Sequence, residues 1–114
     1  MQKLKQVKEI FLQRSVIQKT PSLGLKHSKM QVRFKKNFIK SFNKRNNVIK
    51  NAFFNRLQLF ITNQSHPLLR NHSVHPTFMY GRSINITGDM RAIYIEEGGK
   101  IYFTEFGTHS ELYG

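Results

Sequence analysis

The 114-residue chain contains no cysteine. Disulfide scaffolds, thiolate zinc sites and a cysteine nucleophile are excluded together. Acids are nearly as scarce: 6 Asp+Glu stand against 19 Lys+Arg, a net charge of +13. No apolar run approaches the ~20 residues of a membrane-spanning helix. Lys, Gln or Glu interrupts every apolar stretch of the first twenty residues, where a signal peptide would need its apolar core. Walker loops, GxGxxG, GxSxG and HExxH are all missing. At roughly one domain's length the chain is also too short for a two-domain cofactor enzyme.

What is present is a basic body. The six acids are Glu9, Asp89, Glu96, Glu97, Glu105 and Glu111, so residues 10–88 hold none. Residues 1–88 carry 17 Lys+Arg and one acid, net +16; residues 89–114 carry Arg91 and Lys100 against five acids, net −3. Such a balance points to a polyanionic partner: nucleic acid, an anionic surface or an acidic protein segment. The lack of cysteine suits a reducing cytoplasm, which is the expected location; no membrane association is expected.

Two regions divide at Met30. Over residues 1–29, Leu4, Val7, Phe11, Val16 and Ile17 suggest a basic amphipathic helix stopping near Thr20 and Pro21, followed by a polar linker. The segment reads as an extension or linker, poorly ordered or preceding the true start at Met30; a docking helix and an organelle-targeting segment are the other readings. Residues 30–114 read as one domain. Residues 31–34 alternate as a short strand. Phe34, Phe38 and Phe42 then recur at helical spacing, with Lys36 and Lys40 off that face. After Asn46-Asn47 a second helix is predicted over 48–62, with Ile49, Phe53, Leu57 and Phe60 as its stripe. Residues 63–81 read as loop, and three strands follow, over 83–86, 91–95 and 101–106. The order β-α-α-β-β-β predicts an α+β fold, two antiparallel helices on one face of a twisted antiparallel sheet. A ligand would sit on the uncovered face or its ends.

His27, His66, His72, His75 and His109 make up the histidines. His66, His72 and His75 crowd one loop, but no carboxylate lies near them in sequence, so neither metal nor other cofactor is expected. Near the sheet the polar set is more telling. Ser83, Asn85 and Thr87 are expected on one strand face, Asp89 and Arg91 follow a turn, and His109 and Tyr113 lie just past the last strand. His, Asp, Arg and Tyr on a small basic protein suit metal-independent RNA cleavage by the ribose 2′-hydroxyl. That reaction needs a base, an acid and a cation for the phosphorane.

Three stretches together resemble the RelE/ParE toxin superfamily, nearest its YafQ-like mRNA interferase branch. They are His66-Pro67-Leu68, the run from Gly81 to Tyr94 containing Ile86-Thr87-Gly88-Asp89-Met90-Arg91, and Phe106-Gly107-Thr108-His109 through Leu112-Tyr113-Gly114. The resemblance spans about residues 30–114, and residues 1–29 have no counterpart in it. It implies a microbial-RNase-like fold, cleavage of mRNA in the ribosomal A site, and neutralisation by a cognate antitoxin through an acidic segment in a hetero-oligomer. By position it implies His109 as general acid, Asp89 in acid–base work, Arg91 on the phosphate, His66 in substrate binding or activation, and Tyr113 orienting substrate. Arg82, Ser83, Asn85, Lys36 and Lys40 are the expected RNA-binding set. Asn85 stands where the YafQ branch has a histidine and the RelE branch a lysine, and Met90 where an aromatic is usual. An amide can hydrogen-bond phosphate but cannot give up a proton as an acid. A gyrase inhibitor of ParE type and a non-catalytic RNA-binding module are the rival functions on the same residues.

Overall fold

The computed structural model describes residues 30–114; the helix, linker and targeting expectations for residues 1–29 lie outside the described residues. Each apolar repeat becomes one buried face. In β1 (Gln31–Phe34) Val32 and Phe34 are the buried members. In α1 (Lys36–Asn43) they are Phe38 and Phe42, continuing the four-residue spacing from Phe34. α2 (Asn47–Thr62) starts at Asn46, whose side chain accepts the Ile49 amide at 3.0 Å, and buries Lys50, Phe53, Leu57 and Phe60. A 3-10 turn (Pro67–Leu69) and β2 (His72–Ser73) follow, then β3 (Arg82–Asn85), β4 (Met90–Glu97), β5 (Lys100–Thr108) and a terminal α3 (His109–Tyr113).

The sheet order is β1-β5-β4-β3-β2. β2 to β5 are antiparallel neighbours, while β1 lies parallel to β5, with Val32 beside Ile101 and Phe34 beside Phe103. The α+β class holds, but the wholly antiparallel sheet is corrected to a mixed one. The two helices carry the chain from β1 to the far edge of the sheet, into β2, which runs opposite to β1; three antiparallel reversals, β2 to β3 to β4 to β5, then lay β5 beside β1 in the parallel sense. β2, only two residues long, has no periodicity to betray it in the sequence. Gly98 and Gly99, with φ of 58° and 80°, close the β4–β5 hairpin in the left-handed geometry of a two-residue turn.

Alternation along the strands gives the sheet two different faces. Ile84, Ala92, Tyr94, Ile101, Phe103 and Phe106 point to the helices and join the core. Phe103 and Phe106 are three positions apart, so an unbroken strand would send them to opposite faces. A β-bulge prevents this: Ile93 pairs with Glu105 and Tyr94 with Phe103, leaving Thr104 as the extra residue. Both rings then meet Phe38 and Phe53. Phe38 has five aromatic neighbours, Phe34, Phe42, Phe53, Phe103 and Phe106, with centroids 5.1–5.7 Å away.

The last helix is fastened by polar contacts. Thr108 and Glu111 form a reciprocal capping box: Thr108 Oγ1 accepts the Glu111 amide at 3.1 Å, and Glu111 Oε1 accepts the Thr108 amide at 2.8 Å. Arg45, in the turn between α1 and α2, donates to the same Glu111 Oε1 at 2.8 Å. Gly107 makes room, since a Cβ there would stand 3.0 Å from Glu111 Oε1. The Arg45 hydrogen bond, with help from the Thr108 amide, holds the Glu111 carboxyl below its ordinary value of 4.5.

Two predictions follow from this packing. Phe38→Ala should cost about 3–5 kcal/mol, read as a lowered denaturation midpoint, whereas Val48→Ala, at a position 73% exposed, should change stability by less than ~0.5 kcal/mol. Glu111 favours the fold when ionised, so its contribution is present above pH 4.5 and is lost as pH falls through the depressed value. Its side chain is 50% exposed, which limits the pair to about 0.2–1 kcal/mol, less in high salt. The stability gap between wild type and Glu111→Gln should therefore close on acidification, measured by melting temperature against pH.

Candidate functional site

The face of the sheet turned away from the helices carries the polar set. On an antiparallel pair, opposed residues share a face. His72 opposes Ser83, Ser83 opposes Ile93, and Asn85 opposes Arg91, so His72, Ser83, Asn85 and Arg91 all project to this side. Over it folds the segment 74–81, tied by Val74 N–H to Gly81 O at 2.9 Å and Gly81 N–H to Phe78 O at 2.7 Å. A Cβ at Gly81 would meet Phe78 Cβ at 2.9 Å and Ile93 Cγ2 at 3.2 Å, so glycine is what lets the segment lie this close.

Between this segment, the sheet and α3 is a cleft of about 320 Å³, lined by His72, His75, Ser83, Arg91, His109 and Tyr113 among others. His109 begins α3 and its amide donates to Asp89 O at 3.2 Å, which fastens the helix start to the β3–β4 turn. One helical turn on, the Tyr113 ring lies 4.7 Å from the His109 ring and packs edge-on against Phe78 at 5.6 Å. Burial pushes the Tyr113 phenol above its ordinary value of 10.0, against the opposing Ser83 hydroxyl and Arg91 charge, so it stays a neutral donor. Ser83 is 1% exposed. Its hydroxyl is near enough to influence Tyr113 yet makes no formed hydrogen bond among the described residues. Arg91 Nη1 donates to the carbonyls of Thr87, Gly88 and Met90 at 3.1–3.2 Å, leaving the Nε and Nη2 edge for an anion.

Four expected site residues thus converge: Ser83, Arg91, His109 and Tyr113. The others are placed elsewhere. Asn85 shares their face at half-burial but does not line the cleft. Thr87, expected on the strand face, lies beyond the end of β3, where its hydroxyl accepts the Asp89 and Met90 amides at 3.3 and 3.0 Å. Asp89 is exposed and meets His109 through its backbone, with its carboxylate outside the cleft. His66 lines a second cleft of about 400 Å³ with Arg70, Asn71 and Arg82, its Nδ1 accepting the Leu68 amide at 3.1 Å. Arg82 donates to Asn71 Oδ1 at 2.8 Å, and Asn71 donates in turn to the buried Tyr94 hydroxyl at 2.8 Å. Lys40 borders a third cleft, beside Lys44, Arg45 and Glu111, and Lys36 is exposed on α1.

Sequence reasoning missed His72 and His75, which it took for scattered loop residues. Only the pairing of β2 with β3 brings them in, and two residues carry no strand pattern. Among the described residues no group of three His, Cys, Asp or Glu could hold a metal ion. No described helix is long and apolar enough to cross a membrane.

No protein-family model matches the sequence, and no curated protein matches it significantly. Solved structures do match. YafQ from E. coli strain BL21(DE3) is 20% identical and superposes with a TM-score of 0.60, covering 75% of this chain and 100% of its own. A chain of the E. coli DinJ–YafQ toxin–antitoxin complex is 17% identical with a TM-score of 0.59, over 75% and 99% of the two chains. A YoeB/ParE toxin from Agrobacterium tumefaciens is 12% identical with a TM-score of 0.59, over 70% and 99%. A copper-bound mutant toxin from Helicobacter pylori is 23% identical with a TM-score of 0.57, over 73% and 98%. Three helices on an open five-stranded mixed sheet therefore share the fold of the YafQ and YoeB/ParE toxin structures.

Proposed function

We propose that this chain is the toxin of a bacterial type II toxin–antitoxin pair, a ribosome-dependent mRNA endoribonuclease that stops translation in the cytoplasm. The observation that supports it is the cleft joining His109, Tyr113, Arg91 and the unpartnered Ser83 hydroxyl on a basic protein of toxin fold. In this reading the 2′-hydroxyl of an A-site nucleotide attacks the adjacent phosphate. Arg91 neutralises the phosphorane with its free edge. Tyr113, its phenol held above its ordinary value by burial, donates to a phosphate oxygen. His109, exposed at the cleft rim, protonates the departing 5′-oxygen. Asp89 acts through the carbonyl that anchors His109. His66 and Arg82 in the second cleft hold a flanking part of the message. Asn85, Lys36 and Lys40 add contacts to RNA phosphates. Nothing in this chemistry calls for a metal ion or cofactor.

The antitoxin partner is supported by charge. Residues 10–88 offer no acid of their own, and the E. coli relative of this fold is found in complex with the antitoxin DinJ. An acidic segment laid over that surface would bind by charge complementarity.

Induced in a bacterium, the wild type should halt growth and leave new mRNA 5′ ends at codon-spaced positions. His109→Ala should slow cleavage by about 10²-fold or more, measured by mapping transcript ends. Intact transcripts with blocked DNA supercoiling would instead indicate gyrase inhibition, and salt-sensitive RNA binding without scission would indicate a binding module. With the cognate antitoxin, affinity should fall steeply between low and high salt, as read by calorimetry; a flat profile would oppose a charge-driven interface.

A further inference from the structure

The mechanism just described lacks a group to take the proton from the 2′-hydroxyl. Asn85 has no proton-accepting nitrogen, the Asp89 carboxylate does not line the cleft, and His66 lies in another one. His72 and His75 both line the cleft from the side opposite α3, and their hydrogen bonds set them apart. His72 Nδ1 lies 2.8 Å from Arg70 O. A carbonyl can only accept, so Nδ1 carries the proton and Nε2 of the neutral ring has a free lone pair. His75 is the reverse: its Nδ1 accepts the Tyr80 amide at 2.9 Å, and its ring stacks on Tyr80 with centroids 5.1 Å apart. The proton of neutral His75 is therefore on Nε2, which can donate but not accept.

We infer that His72 is the general base of this cleft and His109 the acid, with His75 a hydrogen-bond donor to substrate. The inference rests on the RNA-cleaving reading given above. Arg70 O performs for His72 the service that an orienting carboxylate performs in other acid–base sites: it fixes the tautomer and aims the free nitrogen. The register of β2 on β3 sets His72 directly across from Ser83, whose buried, unpartnered hydroxyl lines the same cleft. A phosphodiester bridging His72 and α3 would give that hydroxyl its missing partner.

The step balances without a co-reactant. Nε2 of His72 takes the proton from the 2′-hydroxyl as the 2′-oxygen bonds to phosphorus. The bond from phosphorus to the 5′-oxygen breaks, its electron pair stays on that oxygen, and the imidazolium of His109 supplies the proton. The products are a 2′,3′-cyclic phosphate and a 5′-hydroxyl end. His72 is left protonated and His109 neutral, and exchange with solvent resets both.

The test is single-turnover cleavage by the full chain on ribosomes carrying a synthetic mRNA, with the mapped scissile linkage made either as the natural 5′-oxygen or as a 5′-sulfur. A sulfur leaving group departs without protonation. His72→Ala should lose about 10²–10⁴-fold on both linkages, and imidazole added to the medium should restore part of the rate. His109→Ala should lose as much on the oxygen linkage and recover on the sulfur one. His72→Gln, which keeps a polar side chain on an exposed edge strand, and melting curves for each variant guard against a folding effect. Cleavage by His72→Ala at the wild-type rate, a loss that follows His75→Ala instead, or sulfur rescue of His72→Ala would each overturn the assignment while leaving the ribonuclease reading in place. No cleavage by the wild type would overturn both.

Discussion

The bulge at Thr104 decides which way the final strand faces, and most of the domain depends on it. It puts Phe103 and Phe106 on the same side of the sheet. Without it one of the two rings would leave the cluster around Phe38 and stand on the polar face. Burying a phenylalanine there contributes about 1.5–3 kcal/mol, a large part of the ~5–15 kcal/mol net stability of a small domain. The same extra residue returns β5 to register so that Gly107 opposes Arg91 and Thr108 opposes Met90. One inserted position therefore fixes the core side and, a few residues on, the start of the helix that bears His109.

The core and the cleft are opposite sides of one sheet. Ile84 and Ala92 face the phenylalanines, while their neighbours Ser83 and Arg91 face the cleft. The site is thus mounted on strands packed from behind by the core, and among the described residues only the segment 74–81 and α3 overlie it. Scarcity of acids shapes the rest. Among the described residues a single ion pair is formed, Arg45 with Glu111, and it anchors α3. Most other cations of the domain are left facing solvent and available to a polyanion.

Much of this was legible in the residues. Phe34, Phe38 and Phe42 at four-residue spacing and the break at Asn46-Asn47 both speak through local geometry, which depends on neighbours in sequence. The α3 helix was not read: Thr108-x-x-Glu111 has the form of a capping box, but five residues are too few to show a helical period. The parallel seat of β1, the bulge and β2 were not legible. Each depends on which distant segment lies alongside, and no local period records that. For the same reason Arg91, His109 and Tyr113 could be grouped from sequence, whereas His72 could not, and His66 and Arg82 were grouped with a cleft they do not share.

The position of β5 also governs how the domain comes together. It is the last strand in sequence, yet it sits between β1 and β4. Val32 and Ile101, beside one another in the sheet, are separated by most of the domain's length. Until β5 is laid down, the helical first half and the antiparallel meander share no strand pairing, so joining them closes one long loop. That closure carries an entropic cost rising only with the logarithm of loop length, but it must be met before the non-local contacts return anything. A strand that enters last and lands in the middle makes this sheet an all-or-none object: the cleft and the core come into being in the same event.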